Sequence, residues 1–126
     1  MLLVVDSSVL IDHLRGDRRA VDRLRAAVES GDELWSVTVV RTEILAGARG
    51  EESASIGRLF DQLRWLDVTP ELADAAGLLA STYLRSHPGV DTVDYLLAAG
   101  TTHLGADLLT QNVRHFPMRP GLSAAY

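Results

Sequence analysis

Leu2-Leu3-Val4-Val5-Asp6-Ser7-Ser8-Val9-Leu10-Ile11 is the stretch on which the reading of this chain turns. A short, wholly apolar run ends at an acid followed by two serines. Such a run reads as a strand buried on both faces. Ser7 or Ser8 can cap a following helix, with Leu10, Ile11 and Leu14 inward and Gly16 at its end. Asp6 then sits at the carboxyl end of the first strand, where parallel α/β folds open their ligand crevice.

The same alternation continues along the chain. Asp17 caps a second helix with Val21, Leu24 and Val28 on one face, ended by Gly31. Glu33–Val37 is a second strand, and residues 38 to about 48 form a helix. Ile56, Leu59, Phe60 and Leu63 fall at helical spacing; that face is either core or an interface for a second copy. Trp65–Val68 is a short strand, and Thr69-Pro70-Glu71 a helix start, with proline at the first helical position. Leu72, Ala76, Leu79 and Tyr83 form its inner stripe, and His87-Pro88-Gly89 breaks it. Asp91 opens another helix, Ala106–Thr110 is the last clear strand, and Gln111–Phe116 is a loop or a single turn. The tail carries Pro117, Pro120 and Gly121 and reads as a short strand or coil. This order predicts an α/β fold: a three-layer α/β/α domain over residues 1–126, with a mainly parallel sheet of four to five strands flanked by helices.

Composition narrows the chemistry. The absence of cysteine removes disulfides, thiolate catalysis and cysteine-based zinc sites. No stretch approaches the roughly 20 apolar residues of a spanning helix, and the N-terminal run is too short for a signal peptide, so the expected location is cytoplasmic, with no membrane association. The net charge of −5 argues against passive binding to a polyanion. Its cations are all arginine; Arg15, Arg18, Arg19, Arg23 and Arg25 form a basic run that reads as a solvated face.

The acids are not scattered evenly. Asp6 ends the first strand. Glu43 lies a turn into the helix after the second, on a face shared with Val40 and Gly47 rather than with charges. Asp91 and Asp94 open a helix, and Asn112 follows the last strand. A parallel sheet brings these element ends to one edge. Two carboxylates about 4 Å apart repel by roughly 4 kcal/mol at an effective dielectric near 20. Either some take up protons or a cation sits among them. A hard divalent ion with oxygen ligands, Mg²⁺ or Mn²⁺, is the simplest resolution, and phosphodiester hydrolysis the natural chemistry for it. Asp91-Thr92-Val93-Asp94 also has the spacing of a capping box, so Asp91 is either a ligand or only a cap. Ser8 and Thr110 are candidates for holding the carboxylates. His13, His87, His103 and His115 show no ligand spacing.

Four segments make the pattern specific: Val4–Ile11; Ser36–Gly47, which contains Arg41-Thr42-Glu43-Ile44-Leu45-Ala46-Gly47; Val93–Ala99, which contains Val93-Asp94-Tyr95-Leu96-Leu97; and Leu108–Phe116. In this order they resemble PIN-domain ribonuclease toxins of the VapC type, and the resemblance runs from Asp6 to Phe116. It implies a parallel sheet between helices, a homodimer, endoribonuclease activity with Mg²⁺ or Mn²⁺, an RNA substrate, and a VapB-like antitoxin partner that covers the active-site groove. Asp6, Glu43 and Asp94 match the family's acidic positions and carry its catalytic and metal-binding roles. Asn112 stands where many members have a fourth acid, which predicts weaker binding of a second metal. Arg114 and His115 are candidates for touching RNA phosphate. Two rivals remain. One is a PIN-like interaction module that cuts poorly, favoured by Asn112. The other is a phosphoryl-transfer protein using Asp6 as nucleophile, disfavoured because the chain has no lysine.

Overall fold

The computed structural model describes all of residues 1–126. Strands β1 (Leu2–Val5), β2 (Glu33–Val37), β3 (Arg64–Leu66) and β4 (Asp107–Leu109) form one sheet in the order β3-β2-β1-β4. Every pairing is parallel, with Val4 opposite Trp35 on one side and Leu108 on the other. Helices α1 (Ser7–Leu14), α2 (Arg18–Glu29), α3 (Thr38–Ala46), α4 (Ser53–Asp61), α5 (Pro70–Tyr83) and α6 (Thr92–Leu104) connect them. The chain steps outward from β1 through β2 to β3, then returns through α5 and α6 to place β4 on the far side of β1. That reversal opens a crevice beyond the carboxyl ends of β1 and β4.

The core explains which segments became which elements. Val4, Val5, Val9, Leu10, Val37 and Leu97 are fully buried between sheet and helices. Every residue of α6 from Asp94 to Thr101 is buried, because this helix lies against β1 and β2 on one side and α5 on the other. A helix so enclosed must approach the sheet closely. A Cβ placed on Gly100 would lie 2.9 Å from Val37 Cγ2 and 3.2 Å from Leu66 Cδ2, so only glycine fits there without displacement. Ile56, Leu59 and Phe60 of α4 are buried, which resolves that face as core. Trp65 stacks edge-on against Phe60, and Arg41 lies over both rings, 4.5 Å from the Phe60 centroid and 4.8 Å from that of Trp65.

The sheet has four strands and is wholly parallel, as the sequence pattern leads one to expect. The structure departs from the sequence expectation at β3 and α2. Its third strand is Arg64–Leu66 rather than Trp65–Val68; Asp67 and Val68 already leave the sheet toward the Thr69 cap of α5. The buried stripe of α2 is Ala20, Leu24 and Ala27, while Val28 is 54% exposed. Small alanines let α2 sit close to its neighbours, and Val28 falls beyond the edge of that contact. The tail after Phe116 is coil, one of the two forms expected for it.

The close approach at Gly100 gives a stability test. Gly100→Val should lower the unfolding free energy by about 1–3 kcal/mol through overpacking. Gly77→Ala, in open space on α5, should instead raise it by about 0.5–1 kcal/mol. Urea denaturation of the two variants checks both signs.

Candidate active site

Asp6 occupies the N-cap position of α1, yet its carboxylate makes no capping bond to the helix. The backbone does that work: the Asp6 carbonyl accepts from the Val9 and Leu10 N–H groups, and its own N–H donates to the Leu109 carbonyl at 2.9 Å. The side chain is turned elsewhere and is held by hydroxyls. Thr110 donates to Asp6 Oδ2 at 2.7 Å and Ser8 donates to the same oxygen at 3.0 Å. Oδ1 receives only a long bond from Ser7, at 3.4 Å. Asp6 is 3% exposed. A buried carboxylate is thus fixed through one oxygen and leaves the other nearly free, in the crevice between β1 and β4.

Asp94 repeats the arrangement from α6. Asp91 and Asp94 form a reciprocal capping box, each carboxylate accepting the other's backbone N–H at 3.1 Å. Asp94 Oδ2 also lies 3.3 Å from Nδ1 of His115. The capping and the charge therefore coexist: Oδ2 closes the helix start, and Oδ1 stays open. Burial pushes the Asp94 carboxyl up to about 6, with Asp91 and Asp6 adding repulsion against the bond from Asp91 N–H and the attraction of His115. Glu43 is raised as well, first by desolvation and then by Asp6 and Asp91, with Ser7 acting against the rise. The residue as a whole is exposed, but its carboxyl end leans back into the field of the other acids.

Asp6, Asp91, Asp94 and Glu43 therefore share one electrostatic neighbourhood, although they come from β1, α6 and α3. As the side chains stand, no three Asp, Glu or His side chains come close enough to hold an ion between them. The set is open, which matches an ion that keeps much of its own water. All the donors are hard oxygens. Two are buried carboxyls that each keep an oxygen uncommitted, and Asp94 is raised first by burial and then by the neighbouring acids. The residues present fit a hydrated Mg²⁺ or Mn²⁺.

Asn112 is exposed and enters the site through its backbone, whose N–H donates to Thr110 Oγ1 at 2.9 Å. Arg114 is exposed beside it. The half-exposed His115 reaches Asp94 through Nδ1, a contact that no residue spacing signals. Sequence reasoning also missed Gln111 and Tyr126, which brace this loop; a lone aromatic after a proline- and glycine-rich tail carries no periodic signal.

The model of the PIN domain family matches residues 3–118. The chain belongs to the PIN-domain family. This PIN domain is 43% identical over 123 residues to Ribonuclease VapC19 of Mycobacterium tuberculosis, covering 98% of each chain. It is 39% identical over 118 residues to Ribonuclease VapC10 of the same organism, covering 93% of this chain and 87% of the relative. Among solved structures, VapBC2 from Rickettsia felis, bound to a DNA fragment from its promoter, matches with a TM-score of 0.80 at 15% identity, covering 98% of this chain and 97% of the other. At that identity the match shows the fold.

The raised carboxyl at Asp94 makes stability depend on pH. Its ionised form is disfavoured by folding, so the cost is absent below about pH 4, grows as pH rises, and is complete above about pH 6. Asp94→Asn keeps an oxygen for the Asp91 N–H and removes the charge. In metal-free protein it should raise Tm at pH 8 by a few degrees, with the gain vanishing toward pH 4. Thermal melts in a chelating buffer at both pH values check this.

Proposed function

We propose that this PIN domain is an Mg²⁺- or Mn²⁺-dependent endoribonuclease, acting as the toxin of a toxin–antitoxin pair in the cytoplasm. The observation that carries the reading is the Asp6 carboxylate: it sits at a helix start yet does not cap it, and three hydroxyls aim it into the crevice that Asp94 and Glu43 also face. The relatives named Ribonuclease VapC support RNA as the substrate.

Asp6 and Asp94 would hold the divalent ion through their uncommitted oxygens, with Glu43 on the exposed lip of α3 completing its surroundings. The chemistry such an ion would supply is polarisation of a phosphate oxygen and charge for the leaving oxygen. Glu43, whose carboxyl desolvation raises, would take the proton of the attacking water. Asp91 remains the cap of α6. Asn112 brings no charge to the site, so a second ion binds more weakly than the first. Ser8 and Thr110 fix Asp6, and Arg114, with His115 behind it, meets RNA phosphate.

A VapB-like antitoxin is the proposed partner, since solved structures of the same fold include VapBC complexes. Beside Glu43 runs a groove of about 410 Å³ with Ile11, Leu14, Ile44 and Ile56 on its walls and Arg15 and Arg49 at its rim. A partner lying there would cover the acids. For the homodimer, an apolar groove of about 780 Å³ between α5, α6 and the end of β3 is available, with Leu78 on its wall 73% exposed.

A second reading, a PIN-type interaction module that cuts poorly, draws on the open acid set and on Asn112. Purified chain freed of partners, incubated with RNA and Mn²⁺ or Mg²⁺, separates the two. Cleavage should require the ion and fall at least about a hundredfold in Asp6→Ala, corresponding to a loss of several kcal/mol of charge stabilisation. RNA or partner binding without ion-dependent cleavage would favour the module. Leu78→Glu should shift the protein to monomer in sedimentation or size-exclusion measurements.

A further inference from the structure

The last two residues of the chain lie across the segment that follows β4. The Ala125 N–H donates to the Thr110 carbonyl at 3.0 Å. The Gln111 side chain grips the Tyr126 backbone with both ends of its amide: Nε2 donates to the Tyr126 backbone oxygen and Oε1 accepts the Tyr126 N–H, each at 3.2 Å. The Tyr126 hydroxyl donates to Asp12 Oδ2 at 2.5 Å, and the Arg19 guanidinium stands 5.3 Å from the centre of its ring. Burial, and then the bond to Asp12, raises the Tyr126 phenol, which keeps it a donor.

These contacts lead directly to the acid that anchors the site. Gln111 N–H donates to Ser8 Oγ at 3.1 Å, and Asn112 N–H donates to Thr110 Oγ1 at 2.9 Å. Ser8 and Thr110 are the hydroxyls that hold Asp6 Oδ2. A hydroxyl that accepts an N–H turns its own proton away from that donor and toward the carboxylate, so each backbone bond orients and strengthens the next. Ser8 and Asp12 stand one turn apart on α1, so the tail and the 110–112 segment grip one face of that helix at two levels.

We propose that Gln111 and Tyr126 form a latch that positions the Asp6 carboxylate, with Gln111 as a positioning residue for the nuclease site. The tail contains no helix or strand of its own, and Pro117, Pro120 and Gly121 set its path. Its last residues are therefore held by the Ala125–Thr110 backbone bond and by side chains, and the Gln111 grip falls on the residue between Thr110 and Asn112. Substrate does not touch Gln111 in this role. It acts through Ser8 and Thr110.

This proposal rests on the metal-dependent nuclease reading, and the test separates the two. Full-length wild type, Gln111→Met, Gln111→Glu and Tyr126→Phe are compared by amide hydrogen exchange, calorimetric Mn²⁺ binding, and cleavage of RNA with kcat and KM resolved. Gln111→Met keeps the volume and loses both bonds. It should speed exchange at the Gln111 and Asn112 amides, weaken Mn²⁺ binding about tenfold and lower kcat by about tenfold or more, with KM for RNA within about twofold, in line with the effect of groups that orient ligands. Gln111→Glu keeps the acceptor but sets a carboxylate oxygen against the Tyr126 backbone oxygen, so it should lose at least as much as Gln111→Met, and Tyr126→Phe should show a smaller effect of the same kind. Unchanged exchange, Mn²⁺ affinity and kcat in Gln111→Met would overturn the latch. So would losses that merely follow a fall in Tm and vanish on cooling. Wild type that neither binds Mn²⁺ nor cleaves RNA would instead overturn the nuclease reading itself.

Discussion

The structure depends on one constraint: a carboxylate buried at the carboxyl end of β1 must be held and neutralised without water. Asp6 is 3% exposed, and an ionised group so placed is costly unless hydrogen bonds and a counter-charge compensate. Ser8 and Thr110 provide hydrogen bonds to one oxygen. No arginine pairs with it, and the nearest charged groups of the set are further acids. The missing positive charge is what a divalent ion would supply. The strand order makes this arrangement available, since β4 returns to the far side of β1 and brings Thr110 beside Asp6 across 104 residues of sequence.

The same constraint organises α6. A helix buried along eight successive residues from Asp94 to Thr101 would ordinarily carry no charge at all. Asp94 is tolerated at its first turn because it closes the helix with one oxygen, and because the positive end of the helix dipole lies there. The cost of burial remains, with repulsion from Asp91 and Asp6 behind it, and together they show as the raised carboxyl. Stability and the proposed metal-binding role thus pull against each other at one residue.

Much of this was legible in the sequence. The alternation of apolar runs and capped helices gave the parallel sheet, and Asp6 was placed at its strand end by the abrupt stop after Val5. The capping spacing of Asp91 and Asp94 predicted the bonds that form. What stayed hidden depended on three-dimensional neighbours. Val28 looked inward by periodicity but overhangs the contact that Ala20, Leu24 and Ala27 make. The short β3 shifted because an edge strand is bounded by its single partner, whose pairing with it ends at Val37 opposite Leu66. The bond between His115 and Asp94, and the grip of Gln111 on Tyr126, join segments whose residue types carry no periodic signal.

Crystals of the chain grown with Mn²⁺ and measured by anomalous diffraction would reveal where the ion sits. One strong peak is expected within direct ligand distance of Asp6 and Asp94, on the side of their free oxygens, with at most a weaker second peak toward Asn112. A map with no peak in that crevice, or with Mn²⁺ bound only elsewhere on the surface, would contradict that placement.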